Sequence, residues 1–472
     1  MKKTLLLTSL VASMVAIAGT TGSVEGYNEN EANFEKNKAA TFVAKKLGVK
    51  TEIKVNGTGF SFGGDFKAED LELLSKVKKA NYLDHSSVWA KYELPELKGV
   101  KSYVKATVSP KFAGLENLEQ ANNKEIKVKE DKGSAELEGQ VSYKYSDFTF
   151  GLKSKTNFPF SNNIYKYEAN KVAPSFDSTE EYGKLVKSTH KVFVESEKDK
   201  DVFVKGLKDV KANVEIKHDY AKTVTTTLGE RVDYVKGNVE LVYDGIKDLR
   251  MDGKIDFTVN VNGPKELGNT KLGDYNLEDH ELGGTVSKEP VDFIHTYNAK
   301  LNYTGVKGLT LAVAPFVSHS QKKVNATNIS KTDIVMYGAS LNAQYKMLND
   351  QLTLTGKALL AGDSILVKGV NEENSGLVSL GANAKYDYKV SDKFTVSPEV
   401  DAKLDLLIIG QQTESLLALT PEVSAEYKPT DTLTLKGSVE VPVKFGLYST
   451  DAKFEYKQTQ LKTSLNLKYE WK

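Results

Sequence analysis

The chain has 472 residues, a formal net charge of +1 and no cysteine. The balance of 64 basic and 63 acidic residues argues against a nucleic-acid-binding protein, which normally carries a basic excess. The lack of cysteine excludes disulfides, thiolate metal sites and thiol nucleophiles. No Pro/Gly/Ser-rich linker follows residue 49, so we expect one large repetitive architecture rather than several soluble domains.

The first 18 residues have the three parts of a secretory signal peptide. Met1–Lys3 is cationic, an apolar run follows, and Ala16 and Ala18 form a small-x-small cleavage signal. We therefore predict a signal peptide over residues 1–18. Residues 19–48 show loosely helical spacing of apolar side chains, which predicts an N-terminal periplasmic or lumenal segment, helical in part. A second helix-like stretch, residues 65–85, is interpreted as an external loop or an inward-folding constriction.

From residue 49 onward the chain alternates apolar and polar residues with a period of two. Over 433–445 the odd positions are apolar apart from Gly437, and the even positions are polar or charged apart from Pro442. This period is typical of a strand between an apolar and a polar medium. The same alternation runs through 135–145, 249–261, 337–345 and 394–404. Segments of this length match the roughly 9 to 11 residues that a tilted strand needs to cross a bilayer.

The connections between these strands alternate between short turns and long polar links. Eight short turns are recognisable, at 97–99, 146–147, 206–209, 245–248, 305–308, 346–350, 389–392 and 428–431. Strand, long link, strand and short turn together give the repeat of roughly 40 residues seen between successive tyrosines. Eight turns predict 2 × (8 + 1) = 18 strands, with 16 as the alternative because residues 155–205 are ambiguous.

Tyrosines recur on the apolar face just before the short turns. An aromatic ring with a polar tip suits the lipid headgroup boundary. The predicted aromatic girdle comprises Tyr145, Tyr243, Tyr303, Tyr345, Tyr388, Tyr427, Tyr469 and Trp471.

Taken together, these features resemble those of Gram-negative outer-membrane β-barrel proteins of the porin type. The resemblance covers residues 49–472 and includes the last strand, where Trp471 is displaced from the terminus by Lys472. It implies an all-β fold, a transmembrane antiparallel up-and-down barrel, in the cell outer membrane. The implied partners are outer-membrane lipids, the barrel-assembly machinery and further copies in a homotrimer.

The polar faces of the strands supply the candidate site residues. We expect the pore lining to include Arg250, Asp252, Lys254, Asp256, Glu399, Asp401, Lys403, Asp405, Glu422, Glu426, Lys436 and Glu440. The six histidines show no spacing specific for catalysis or for a metal, so no catalytic residue, metal or cofactor is predicted. The expected function is passive diffusion of small hydrophilic solutes and ions. The alternative is a barrel that acts mainly as a surface adhesin through its long loops.

Overall fold

A computed structural model describes residues 19–72, 86–110, 133–160, 182–223, 227–261, 265–266, 271–272, 275–276, 290–322, 332–367, 373–409, 412–448 and 454–471. Among these residues, no helix is long and apolar enough to cross a membrane. The predicted signal peptide, with Ala16 and Ala18, lies outside the described residues, as does the 73–85 part of the second helix-like stretch.

The described residues form a closed antiparallel barrel of twenty strands. These are β1 (Thr20–Glu35), β2 (Thr41–Val55), β3 (Phe60–Glu72), β4 (Ser87–Leu97), β5 (Val100–Pro110), β6 (Gly133–Tyr145), β7 (Phe148–Pro159), β8 (Tyr182–Ser196), β9 (Leu207–Thr223), β10 (Thr227–Ile246), β11 (Leu249–Asn260), β12 (Phe293–Tyr303), β13 (Leu309–Lys322), β14 (Thr332–Met347), β15 (Leu352–Val367), β16 (Glu373–Tyr386 with Tyr388–Ser391), β17 (Phe394–Ile409), β18 (Gln412–Thr430), β19 (Leu433–Glu440 with Val443–Tyr448) and β20 (Phe454–Trp471). Consecutive strands pair, and β1 pairs with β20 to close the ring.

The predicted counts of 18 and 16 strands are wrong because the barrel begins earlier than residue 49. The predicted N-terminal segment, 19–48, forms β1 and much of β2 rather than a helix. A ninth short turn, at 56–59, joins β2 to β3, and nine turns give 2 × (9 + 1) = 20 strands. Outward positions of β1 include Gly26, Asn28 and Asn30, so the apolar half of the alternation is missing there.

Seven of the eight predicted short turns lie at junctions between paired strands at one end of the barrel. The eighth, 206–209, is misplaced, because residues 207–209 already belong to β9 and the connection from β8 is the ten-residue segment 197–206. The turn between β4 and β5 shows the local cause. Lys98 and Gly99 both have positive φ, 48° and 81°, as a two-residue turn that continues the right-handed twist requires. The links at the opposite end are less uniform than predicted, because only two residues, 410–411, separate β17 from β18.

The two faces of the barrel wall differ as the alternation predicts. Outward side chains are large, apolar and solvent-exposed in the isolated chain, for example Leu152, Ile255, Leu341, Val400 and Val423. Their immediate neighbours along each strand face the lumen and are mostly polar. A closed ring leaves no unpaired sheet edge, which the hydrocarbon of a bilayer would not tolerate.

Candidate pore lumen

The twelve predicted pore-lining residues all lie on the lumen face. Arg250, Asp252, Lys254 and Asp256 alternate along β11 with outward Ile255 and Phe257. The remaining eight lie on three consecutive strands, β17, β18 and β19. The sequence places each residue on the correct face, but the pairing of the strands decides which of them are neighbours.

Five charged residues form one rung across five neighbouring strands. In register order these are Lys385, Glu399, Glu422, Glu440 and Lys462. Glu399, Glu422 and Glu440 are therefore cross-strand neighbours. Like charges directly opposite each other destabilise a sheet unless they are screened or bound. Glu440 forms an ion pair with Lys462 at 3.2 Å, and Glu399 accepts a 2.7 Å hydrogen bond from Asn383.

The same wall contains both compensated and uncompensated carboxylates. Asp405 is paired with Lys403 at 3.0 Å, and Glu426 with Lys436 at 2.6 Å. Among the described residues, Asp401 and Glu422 form no ion pair. Together with Glu399 and Glu440 they line a recess of about 410 Å³ that also includes Lys357. We call the lumen-facing carboxylates of β17–β19 the acidic sector.

The opposite wall is rich in lysine, which the sequence interpretation did not single out. The lumen faces of β5, β7, β8 and β9 contribute Lys101, Lys105, Lys153, Lys155, Lys187, Lys191, Lys211 and Lys217. Lys153 and Lys191 are directly opposite each other across β7 and β8. Several of these lysines are neutralised: Lys153 pairs with Glu138 at 3.0 Å and Lys155 with Glu136 at 2.7 Å. We call the eight lumen-facing lysines of β5, β7, β8 and β9 the basic sector.

The two sectors lie on opposite sides of the lumen. Strands β7 and β8 are ten strands away from β17 and β18 in a ring of twenty. With an interstrand spacing of about 4.8 Å and a tilt of about 40°, twenty strands enclose a backbone circle roughly 40 Å in diameter. A small solute crossing the lumen is therefore exposed to carboxylates on one side and to ammonium groups on the other.

A third part of the lumen wall is apolar and covered. The lumen-facing residues Phe316, Ile334, Met336, Leu359 and Leu377 of β13–β16 form a buried cluster with Val291, from the end of the link between β11 and β12. Ser318 and Ser320, on the same face of β13, are also fully buried. Complete burial on the inner wall indicates that the lumen is narrower here than the backbone circle.

The predicted girdle residues lie outward at the short-turn end of the barrel. Tyr145, Tyr303, Tyr345, Tyr388, Tyr427 and Tyr469 are exposed, whereas Tyr243 and Trp471 are partly covered. Trp471 packs against Tyr469 with ring centroids 6.3 Å apart, and its indole N–H donates to Thr20 Oγ1 at 3.3 Å across the barrel closure. The side chain of Trp471 thus also contacts the first strand.

The four histidines in the described residues lie on the outward face, not in the lumen. His319 contacts Asp333 at 3.2 Å, and Ser154 Oγ lies 2.9 Å from His190 Nδ1. The second pair has the spacing of a nucleophile and a base, but a triad also requires a third group to orient the base. Among the described residues no carboxylate or amide hydrogen-bonds to His190, and no group of three or more ligand-type side chains is arranged to hold a metal.

No family model matches the chain, and no curated protein sequence matches it. Structures of outer-membrane proteins do. Acinetobacter baumannii OccAB2 has 9% identity and a TM-score of 0.43, with 97% of this chain and 99% of that chain covered. Pseudomonas aeruginosa OpdL has 9% identity and a TM-score of 0.41, with 96% and 100% covered. A structure titled copper transporter OprC has 10% identity and a TM-score of 0.43, with 96% and 81% covered.

The closed ring, the outward apolar band and the polar lumen define the class of protein. A wall that is apolar outside and charged inside is stable only where hydrocarbon surrounds it and water fills it. The chain is an outer-membrane β-barrel protein with twenty membrane-crossing strands.

Proposed function

We propose that the protein is a passive channel for small hydrophilic solutes and ions. The single observation that carries this proposal is the charged lumen wall, on which carboxylates and lysines remain at the water-facing surface of a twenty-strand ring. Residues that served only to fill an interior would be apolar and packed, as they are in the covered cluster of β13–β16. The proposed role is non-enzymatic and requires no cofactor.

The charges on the lumen wall make the proposed channel selective among ions, in the same way for both directions of flow. A wall of one sign in a low-dielectric channel raises the local concentration of the opposite ion. In the acidic sector, two carboxylates form no ion pair among the described residues, Asp401 and Glu422. In the basic sector, three lysines form none: Lys187, Lys191 and Lys211. Cations and anions therefore follow different walls, and we propose a mild preference for cations from the Glu399, Glu422 and Glu440 rung.

Conductance of the purified barrel in planar lipid bilayers tests this function. Open steps on the order of a nanosiemens, linear with voltage at low potentials, are expected for an aqueous lumen of this width. Liposome swelling in small sugars and amino acids should show rates that fall with solute size. A correctly folded barrel that is electrically silent and excludes these solutes contradicts the proposal and favours the surface-adhesin alternative.

A further inference from the structure

A cluster of polar side chains interrupts the apolar outer wall on β7, β8 and β9. Ser154 and His190 are directly opposite across β7 and β8, and Thr156 and Ser188 are opposite one register step further on. Ser154 shares a 2.9 Å hydrogen bond with His190, and the Thr156 and Ser188 hydroxyls are 3.1 Å apart. The His218 ring on β9 lies 5.5 Å from the His190 ring. These five residues are called the outer polar patch.

The patch lies at the depth of hydrocarbon rather than of headgroups. Ser154 is four residues from Phe150 and four from Phe158, both of which are outward and exposed. Eight residues of a tilted strand rise about 20 Å, close to the height of the apolar band of an outer-membrane barrel. The patch therefore starts near mid-bilayer, flanked by outward Leu152 and Val192.

Polar and ionisable groups in hydrocarbon are expensive and are retained where they have a partner. His190 is exposed, and only its Nδ1 is engaged by a described hydrogen bond. Lipid tails offer neither donors nor acceptors, and the girdle level, at Phe148 opposite Tyr145, is six residues or about 15 Å from Ser154. The remaining hydrogen-bonding capacity of His190 and of the three hydroxyls therefore points to a protein partner within the membrane.

Depth and chemistry together identify that partner as a second copy of this chain. A copy inserted in the same orientation presents the same groups at the same depth. Hydroxyls both donate and accept, and a neutral imidazole does the same through its two nitrogens, so the patch is complementary to itself. We propose that two barrels associate through their outer polar patches about a twofold axis normal to the membrane. Ser, Thr and His are among the side chains that hydrogen-bond between neighbouring elements in membranes.

A twofold contact requires only this one surface, whereas a cyclic trimer requires two different surfaces on each barrel. The two contact directions in a trimer are about 60° apart, which is roughly three strands in this ring. Two other polar stretches of the outer wall lie seven and about five strands from β8: Asn28 and Asn30 on β1, and His295, His319 and Asp333 on β12–β14. Those separations are about 126° and 90°, and neither matches the 60° that a trimer built from the patch and one of these stretches would need.

The absence of native cysteine makes disulfide cross-linking a clean test. We expect Ser154→Cys and Ser188→Cys barrels, oxidised in native-lipid membranes, to give dimers at least tenfold more abundant than Val400→Cys. Val400 is the matched control, because it is outward, six residues from the short-turn end of β17 as Ser154 is on β7, and on the opposite wall. Equal cross-linking at all three positions, or cross-linking of Asn30→Cys alone, overturns the proposal.

Association without cysteine provides the second measurement. In nanodiscs or detergent, the Ser154→Ala, His190→Leu double variant should lower the dimerisation constant roughly three- to twentyfold for each hydrogen bond lost between barrels. Val400→Ala should leave it unchanged. If the patch only contacts lipid, the double variant will not alter the monomer–dimer ratio, and a monomeric or trimeric mass for the unmodified barrel likewise refutes the twofold contact.

Discussion

A lysine at Val439 should obstruct membrane insertion, whereas a lysine one residue away should not. Val439 is outward and 47% exposed, six residues from Leu433 at one end of β19 and six from Phe445 towards the other. Six residues of a tilted strand rise about 15 Å, which places Val439 near the bilayer centre. Ser438 faces the lumen, where its hydroxyl lies 2.8 Å from that of Ser464.

The cost follows from the depth. A lysine on the lipid face at the midplane costs about 2–4 kcal/mol, and near the interface about 0–1 kcal/mol. Val439→Lys should therefore lower the folding equilibrium constant roughly 30- to 800-fold. Leu433→Lys, at the short-turn end of the same strand, should lower the folding equilibrium constant tenfold or less. Ser438→Lys exchanges one lumen hydrogen bond for a solvated ammonium group, and its expected loss is about 1 kcal/mol.

Urea titration of barrels refolded into phospholipid vesicles measures these differences, with tryptophan fluorescence as the readout and protease protection as the check on insertion. We expect the wild type to be the most stable, Ser438→Lys and Leu433→Lys to be slightly less stable and similar to each other, and Val439→Lys to be much less stable than all three. If Ser438→Lys and Val439→Lys are equally destabilised, the assignment of faces on β19 is wrong. If Leu433→Lys costs as much as Val439→Lys, the depth assignment fails instead.

Three other predictions concern topology, selectivity and the first strand. External protease on intact cells should cleave the link at 263–289 but not the turn at 428–431; cleavage at that turn would reverse the orientation. Glu399→Gln with Asp401→Asn should shift the reversal potential towards anions in a salt gradient, less so at high salt, because exposed charges are screened. The matched double variant Lys153→Gln with Lys191→Gln should shift the reversal potential towards cations. If neither double variant shifts it, the acidic and basic sectors do not determine ion selectivity. Asn28 Oδ1 is buried without a hydrogen-bond partner, so Asn28→Leu should stabilise the barrel by about 1–3 kcal/mol. Asn30 already donates to Thr463 at 3.3 Å, and Asn30→Leu should gain less; equal melting shifts would contradict this reasoning.

The sequence by itself determined the local features of this protein. The faces of β11 and of β17–β19 follow from alternation with period two, because successive side chains of a strand point to opposite sides. The short turns follow from local chemistry, as Lys98–Gly99 shows with two positive φ angles. Each of these signals is contained within a few consecutive residues, so no knowledge of distant parts of the chain is needed.

Only the tertiary structure decided which strands meet. The barrel closes where Gly22 pairs with Trp471. The first strand, β1, has Gly26, Asn28 and Asn30 at outward positions, so it lacks the apolar face from which a strand could have been predicted. Its inclusion raises the strand count to twenty and places the basic sector of β7–β8 across from the acidic sector of β17–β18. The outer polar patch also exists only through pairing, since Ser154 and His190 are 36 residues apart. Register between strands depends on hydrogen bonds between distant segments, and a pattern that repeats every two residues does not specify its own partner.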